Sequence, residues 1–309
     1  MEALTNSLII FGIVLVVGFI IAIIRKIRSG KKLSVVIILT ILFSSISAGM
    51  AGYLYGSIKF TIDEQNLIQQ RETAVIQRLK LIREAEIVYQ EVNGRYTQNW
   101  DSLINFIKNG SYPIIQRTEH ITSLSYGRDS IFIEIDTIGI VSAWERIFKA
   151  TYAENAADSG TFMGFKAAVG DKAIQGMPAY TIKNNRLNKL INHNFKNSGT
   201  ITDLADIKEG DKISKGQLLI SYWEHKFNPN VNIDDLSYVP GYEGADRIQF
   251  EIFAGRVPVG KAQLMLDVIE VKNPRPFDKS RSEDSEAKNR RPLRFGSKTD
   301  INTSGNWGE

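Results

Sequence analysis

The side chains most able to do chemistry in this chain are its histidines and the carboxylates near them. His225 precedes Asp234, Asp235 and Asp246, and a histidine combined with carboxylates can bind a metal ion or transfer protons. The separations match neither the i, i+4 spacing of ligands on a helix nor the short-loop spacing of established metal motifs. We therefore interpret His225 as a surface residue.

Other catalytic patterns are missing from the sequence. His120 and His193 are isolated in polar surroundings, and there is no Gly-x-Ser-x-Gly, Walker-type loop, Ser-x-x-Lys or paired catalytic carboxylate. The absence of cysteine excludes a disulfide scaffold, a cysteine zinc site, an iron–sulfur cluster and thiol catalysis. We predict that the protein is not an enzyme, binds no metal and uses no cofactor.

Two glycine-containing turns frame a predicted hairpin at 207–219. Gly210-Asp211 and Lys215-Gly216 place tight turns between alternating apolar positions. This stretch resembles the lipoyl-like strand–turn–strand of membrane-fusion (periplasmic adaptor) proteins, although an ordinary hairpin explains the same residues. An adaptor needs a second matching half-motif, and the sequence shows neither such a half-motif nor a convincing internal repeat.

Two long apolar segments lie within the first 60 residues of the chain. Residues 8–24 are all apolar or Gly, and 33–58 are interrupted only by Ser, Thr, Gly and Tyr. About 20 apolar residues in a helix cross a bilayer, so the sequence predicts a transmembrane hairpin over 1–60. Five basic residues between the spans favour a cytoplasmic loop. We therefore expect an inner-membrane protein with both termini outside (N-out/C-out) and a periplasmic main domain.

A stripe of small residues recurs every four positions in the second apolar segment, at Ser44, Ala48, Gly52 and Gly56. Small residues at this spacing let helix backbones approach closely. The stripe packs either against the first apolar segment, through Gly12 and Gly18, or against another subunit. It is the predicted helix-packing interface.

The distribution of charge argues against nucleic acid as a partner. The net charge is +4, but the basic residues concentrate in a loop at 25–32 and a tail at 272–298. The body between them is mildly acidic, without the basic surface that nucleic acid requires. We expect the partners to be the lipid bilayer and other membrane or periplasmic protein subunits, including copies of this chain.

The rest of the chain predicts helices followed by strands. Residues 63–92 contain neither Pro nor Gly and place apolar side chains on one face, and Asn93-Gly94 ends this long helix. A short helix follows at 100–108. Residues 110–271 form a β-rich domain, with strands at 130–141, 217–223, 247–253 and 264–271 and short helices at 142–150 and 185–192. The charged segment 272–292 is predicted to be flexible.

These elements define the expected fold class. It is a membrane-anchored α+β fold with two transmembrane helices at about 8–24 and 33–58, a long amphipathic helix and a mostly antiparallel β periplasmic domain. Residues 61–109 form the stalk of this arrangement, and 293–309 form a separate C-terminal tail.

Seven residues near the end of the long helix and at the C-terminus form an ordered signature: Tyr89, Gly94, Tyr96, Leu103, Gly305, Asn306 and Trp307. In this order they resemble a type II secretion major pseudopilin, or a type IV pilin-like domain, over residues about 34–108 and 293–309. The resemblance implies a pilin-like stalk at 61–109 and a pseudopilin-like tail. The long helix and tail together also resemble envelope proteins of Bacteroidota.

The chain departs from the pseudopilin pattern at two points. Gly30-Lys31-Lys32-Leu33-Ser34 replaces the prepilin-peptidase junction, and the following apolar segment contains no Glu. Only Asp300, with Asn302 and Ser304 as weak oxygen donors, remains of the acidic loop that binds calcium in the family. The resemblance therefore implies an uncleaved subunit without calcium.

Taken together, these features predict a non-enzymatic, inner-membrane-anchored subunit of a trans-envelope assembly, such as secretion, pilus-like or motility machinery. It would act by protein–protein interaction through a pilin-like periplasmic domain. The alternative is a periplasmic adaptor (membrane-fusion-like) protein of a transport system.

Overall fold

A computed structural model describes residues 34–124, 128–184, 188–260, 263–279, 281 and 291–308, together with 17, 18, 20, 21, 24, 25 and 28. The chain divides into two compact units, Met1–Gln70 and Arg71–Glu309. Within the described residues the fold is mostly antiparallel β sheets with one long helix.

The long helix, α1, spans Ser34–Asn93. It runs without interruption through the second predicted span and the predicted amphipathic helix, since no proline occurs in this stretch. It ends at Gly94, which adopts the left-handed region with φ of 75° and donates its N–H to the Gln90 carbonyl at 2.8 Å. A glycine at this position is the usual helix C-terminal signal.

The prediction of two transmembrane helices is wrong on this structure. Of the first predicted span, 8–24, most residues lie outside the described part of the chain. Of the second, 33–58, residues 34–58 belong to α1, where Ser44, Ser45 and Ser47 interrupt the apolar residues. No helix in the described residues combines the length and the apolar character needed to cross a membrane. The inner-membrane, N-out/C-out assignment depended on these spans and is corrected with them.

The first core of the second unit forms around the C-terminal part of α1. Val75, Leu79 and Ile82 are fully buried along one face of the helix, at the three- and four-residue spacing of an amphipathic helix. The short helix α2, Trp100–Asn109, packs on the same core through Leu103, Phe106 and Ile107. Its N-terminus is capped by Asn99, whose side chain accepts a hydrogen bond from the Ser102 N–H at 3.0 Å.

A three-stranded sheet and a third helix complete this first core. The antiparallel strand order is β11-β12-β13, with bounds Glu251–Val259, Leu264–Lys272 and Arg294–Gly296. Ile269, Val271 and Phe295 point into the core from this sheet. Helix α3, Ala143–Phe148, packs on the same core, and short 3-10 turns lie at Ile233–Asp235 and Gly244–Asp246.

A long two-stranded ribbon connects α2 to α3. Strand β1 spans Ser111–Leu124 and pairs antiparallel with β2, Arg128–Ser142. The register shifts between Ile114 and Ile115, which leaves a bulge in β2. Within the described part of the chain, this sheet consists of these two strands.

A second, separate core lies in a β module formed by 149–225. Its eight strands are Lys149–Asn155 (β3), Gly160–Phe165 (β4), Lys172–Ala173 (β5), Pro178–Asn184 (β6), Lys189–Asn194 (β7), Gly199–Leu204 (β8), Lys212–Ile213 (β9) and Leu218–His225 (β10). They form two four-stranded sheets with the orders β3-β10-β8-β5 and β7-β6-β4-β9. Phe162, Tyr180 and Tyr222 are the largest side chains in this core.

Several predicted elements lie where the sequence placed them. Strands occupy the regions predicted at 130–141, 217–223 and 264–271, and helices occupy those at 100–108 and 142–150. The strand predicted at 247–253 begins later, at Glu251.

The helix predicted at 185–192 is wrong where the chain is described, since Lys189–Asn194 is a strand paired with β6. Of the charged segment predicted to be flexible, 272–279, 281, 291 and 292 are described. Asn273 is buried, and Arg281 Nε lies 2.7 Å from Glu72 Oε1 on α1.

Candidate interaction surfaces

The helix-end residues of the predicted signature pack around the junction between α1 and α2. The Tyr89 ring meets Phe106 edge-on, with 5.1 Å between ring centroids, and Leu103 is fully buried. Gly94 provides the turn that returns the chain, and Tyr96 packs against the same core. The structure therefore brings these four signature residues together.

A buried carboxyl group lies beneath this turn. Glu86 is fully buried, and its Oε2 accepts a hydrogen bond from the Thr97 N–H at 3.1 Å. Its Oε1 has no hydrogen-bond partner. Burial raises the pKa of Glu86 to about 8, and the Thr97 hydrogen bond offsets only part of this effect. Burial likewise raises the pKa of Tyr96, with a further contribution from the Glu86 charge.

The C-terminal residues of the signature fix the tail to the first core. Gly305 forms an antiparallel bridge with Phe295. The Asn306 side chain accepts a hydrogen bond from the Arg294 N–H at 3.0 Å and donates one to the Pro292 carbonyl at 2.9 Å. Trp307 packs against the core, and the Arg83 guanidinium of α1 lies 5.8 Å from its ring centroid.

A polar cavity of about 720 Å³ opens beside the α1–α2 turn. Tyr89, Gly94 and Tyr96 line it on one side, and the β11–β12 hairpin lines it on the other. There Arg256 Nε lies 3.0 Å from Asp267 Oδ1.

The predicted helix-packing stripe lies on α1 in the first unit. Ser44, Ala48, Gly52 and Gly56 are all exposed. A Cβ atom added at Gly52 or Gly56 would meet no atom within 4 Å, and the same holds at Gly18. The described residues therefore do not show the stripe packed against Gly18, while Gly12 lies outside the described part of the chain. Packing against another subunit stays a prediction.

Of the residues considered as metal ligands, His225, Asp234 and Asp235 each contact another side chain. The His225 ring packs edge-on against Trp223, with 4.7 Å between centroids. Asp234 pairs with Lys108 at 2.6 Å, and Asp235 pairs with Arg247. Within the described ranges, no group of three or more histidine, aspartate and glutamate side chains is able to hold a metal ion.

The other two histidines lie apart from this group. His120 Nε2 lies 2.9 Å from Glu134 Oε2 on the β1–β2 ribbon. His193 stacks on Tyr180, with 5.0 Å between ring centroids.

The β module is an internal duplication, which corrects the expectation of no repeat. The sheet orders become identical when β3, β4, β5 and β6 are exchanged for β7, β8, β9 and β10. Lys149–Asn184 is therefore the first repeat and Lys189–His225 the second. The sequence signal is Gly-Asp-Lys-x-x-x-Gly, at 170–176 and again at 210–216. The first copy, at 170–176, is the matching half-motif that sequence analysis missed.

The hydrogen bonds of the two repeats are equivalent. The Gly170 N–H donates to Ile201 O at 2.9 Å, and the Gly210 N–H donates to Phe162 O at 2.8 Å. In both turns the aspartate caps the residue three positions earlier, since Asp171 and Asp211 each accept a backbone N–H at 2.8 Å. The turn of each repeat is therefore hydrogen-bonded to a strand of the other repeat.

Comparison with known proteins places the chain in no established family. No family model matches it, and no curated protein shows significant similarity to it.

Proposed function

We propose that this chain is a non-enzymatic subunit of a protein assembly, of the secretion, pilus-like or motility kind. It acts by protein–protein interaction through α1 and the pilin-like domain that packs on it. The exposed apolar surface of α1 in the first unit carries the proposal.

Large apolar side chains on this part of α1 lie in contact with solvent. Tyr53 is 74% exposed and Phe60 is 70% exposed, and Leu42, Ile46 and Ile58 are exposed on the same helix. Several large exposed apolar side chains along one helix are typical of a site that binds other macromolecules. The small-residue stripe on the same helix would let a partner helix approach closely.

The test is to fill the stripe and measure the size of the native complex. Gly52→Leu with Gly56→Leu adds bulk where a close partner helix would lie, so the complex should become smaller in sizing of native extracts with mass spectrometry. Ser47→Leu with Ser57→Leu adds comparable bulk on the opposite helix face, where both serines are exposed, and should leave the complex intact. An unchanged complex in the glycine variant contradicts the proposal.

A second candidate function is an adaptor protein of a transport system. The observation that favours it is the duplicated lipoyl-like half-motif at 170–176 and 210–216. An adaptor should co-purify with channel or transporter subunits, and this association should be lost in Gly216→Val, which strains a turn with φ of 86°. Retention of those partners by Gly216→Val, or co-purification with fibre-like subunits only, contradicts the adaptor function.

A further inference from the structure

The two faces of the β1–β2 ribbon differ in composition, and one of them carries a concentration of isoleucines. Arg117 lies opposite Ile135, and Glu119 lies opposite Ile133. Directly opposed residues share a face, and successive residues alternate between faces. One face, here called the isoleucine face, carries Ile115, Arg117, Glu119, Ile121, Ile133 and Ile135.

The other face of the ribbon is mainly polar. It carries Gln116, Thr118, Glu134 and Asp136, with Ile114 and Phe132 as its apolar members. The face that requires burial is therefore the isoleucine face.

The isoleucine face is left open to solvent. Ile121 is 64% exposed, Ile135 is 61% exposed and Ile115 is 54% exposed. A two-stranded hairpin is at best marginally stable in water unless its apolar side is covered. Both strands are nevertheless long, at 14 and 15 residues.

We propose that a second copy of this chain covers the isoleucine face, with the two ribbons packed face to face and antiparallel about a two-fold axis. The argument is charge complementarity. Arg117 and Glu119 are neighbours on this face, 3.9 Å apart, and both are more than half exposed. An axis between them places Arg117 of one copy opposite Glu119 of the other, twice, as an isologous interface requires.

The same axis brings the apolar residues together. Ile133 of one copy comes opposite Ile135 of the other, so that the isoleucine rows of the two β2 strands cover each other. Pairing at the outer edges of the ribbons would form a larger sheet but leave this face exposed. Face-to-face packing is therefore the arrangement that buries it.

The size of the face sets the expected affinity. Fourteen residues at about 3.4 Å each, with two strands spaced about 4.8 Å apart, give a footprint of roughly 450 Å² for each copy. The total of about 900 Å² is near the lower limit for a specific interface. We expect a dimer of micromolar affinity.

Charge reversal tests this register in the full chain. Arg117→Glu alone places four carboxylates around the axis, and Glu119→Arg alone places four guanidinium groups there. Each variant should dimerise at least tenfold more weakly than the wild type in analytical ultracentrifugation. An equimolar mixture should form heterodimers, because every opposed pair is then attractive. Thr118→Glu, on the polar face, should dimerise like the wild type.

Disulfide trapping gives a readout specific to the ribbon, since the chain contains no cysteine. A mixture of Ile133→Cys and Ile135→Cys should cross-link faster than either variant alone. Gln116→Cys mixed with Thr118→Cys, on the polar face, is the matched control. A monomeric wild type, no heterodimer on mixing the charge variants, or cross-linking no faster than the control overturns the proposal.

This inference rests on the proposed assembly function for its biological role but uses a different surface. The Gly52→Leu/Gly56→Leu variant reports on α1, and the ribbon disulfide reports on β1 and β2. If the glycine variant leaves the native complex unchanged while the ribbon still cross-links, the proposed function of α1 is contradicted and the ribbon dimer is supported. If the complex becomes smaller in the glycine variant but the ribbon does not cross-link, the ribbon dimer is contradicted and the proposed function of α1 is supported.

Discussion

Glu86 and Thr97 join the end of α1 to the loop that follows it, through a 3.1 Å hydrogen bond from the Thr97 N–H to the buried Glu86 carboxyl group. The other oxygen of this carboxyl group has no hydrogen-bond partner. A charge at this position is therefore only partly compensated, which favours the protonated form at neutral pH.

Stability should depend on pH through Glu86. Its pKa is about 8 when folded and near 4.5 when unfolded, so the folded chain binds more protons between these values. The free energy of unfolding should therefore fall as pH rises from about 4.5 to 8, and then level off. Glu86→Gln should remove most of this slope in urea denaturation at a series of pH values. Glu209→Gln, which alters an exposed carboxyl group, should retain the slope.

The duplicated turns should respond equally to the same substitution. Gly176 and Gly216 have φ of 85° and 86°, and an added Cβ atom would meet nothing at either site. Gly176→Ala and Gly216→Ala should each lower the free energy of unfolding by about 1–2 kcal/mol, through backbone strain alone.

A contrasting pair provides the control for these turns. At Gly160 and Gly199 a Cβ atom would lie 2.5 and 2.6 Å from a backbone carbonyl oxygen of a neighbouring strand. Gly160→Ala and Gly199→Ala should therefore cost more than either turn variant. Unequal costs within either pair, measured by chemical denaturation, would show that the repeats are not energetically equivalent.

Tyr222 should contribute more stability through its hydroxyl group than Tyr180 does. Tyr222 donates to the buried Glu154 carboxylate at 2.8 Å, whereas Tyr180 donates to the Asn155 carbonyl at 3.1 Å. Hydrogen bonds to charged groups contribute about 1.5–3 kcal/mol, against about 1 kcal/mol for neutral pairs. Thermal or urea denaturation of Tyr222→Phe and Tyr180→Phe measures the difference, and a larger cost for Tyr180→Phe would contradict it.

Asn306 should hold the C-terminal tail in place. Asn306→Ala removes the hydrogen bonds with Arg294 and Pro292 and leaves their partly buried backbone groups unpaired. We expect a loss of about 1–3 kcal/mol and faster hydrogen exchange at residues 294–296. Asn302→Ala is the control, because Asn302 is exposed and its side chain accepts only the Ser304 N–H. Equal effects of the two variants would mean that the tail is held by other contacts.

Features that depend on local chemistry were predictable from the sequence. Gly94 ends α1 because a left-handed C-terminal residue favours glycine, and the strand at 264–272 follows from its length and apolar content. Strand β1 was missed because its residues include Pro113 and many polar side chains, and its pairing with β2 determines its structure. Lys189–Asn194 was predicted as helix, and pairing with β6 overrides that local tendency.

The surroundings of the signature residues were not predictable in the same way. Tyr96 and Trp307 were selected through the pseudopilin resemblance. Their neighbours come from distant parts of the chain, as Arg256 and Asp267 do at the cavity and Arg83 does at the tail. The repeat was missed because its halves share few residues beyond Gly-Asp-Lys and the later Gly.

The two cores of the second unit can form only in a fixed order while the chain is synthesised. The buried hydrophobic residues of the β module all lie between Ala156 and Tyr222, so this core can form before the later part of the chain has been synthesised. The other core joins Val75 to Phe295 and cannot close until Phe295 has been synthesised. Over the 70 or so residues between Tyr222 and Phe295, a nascent chain therefore presents a complete module inside an open one, and a product truncated within this stretch keeps the module but leaves α1 without its core.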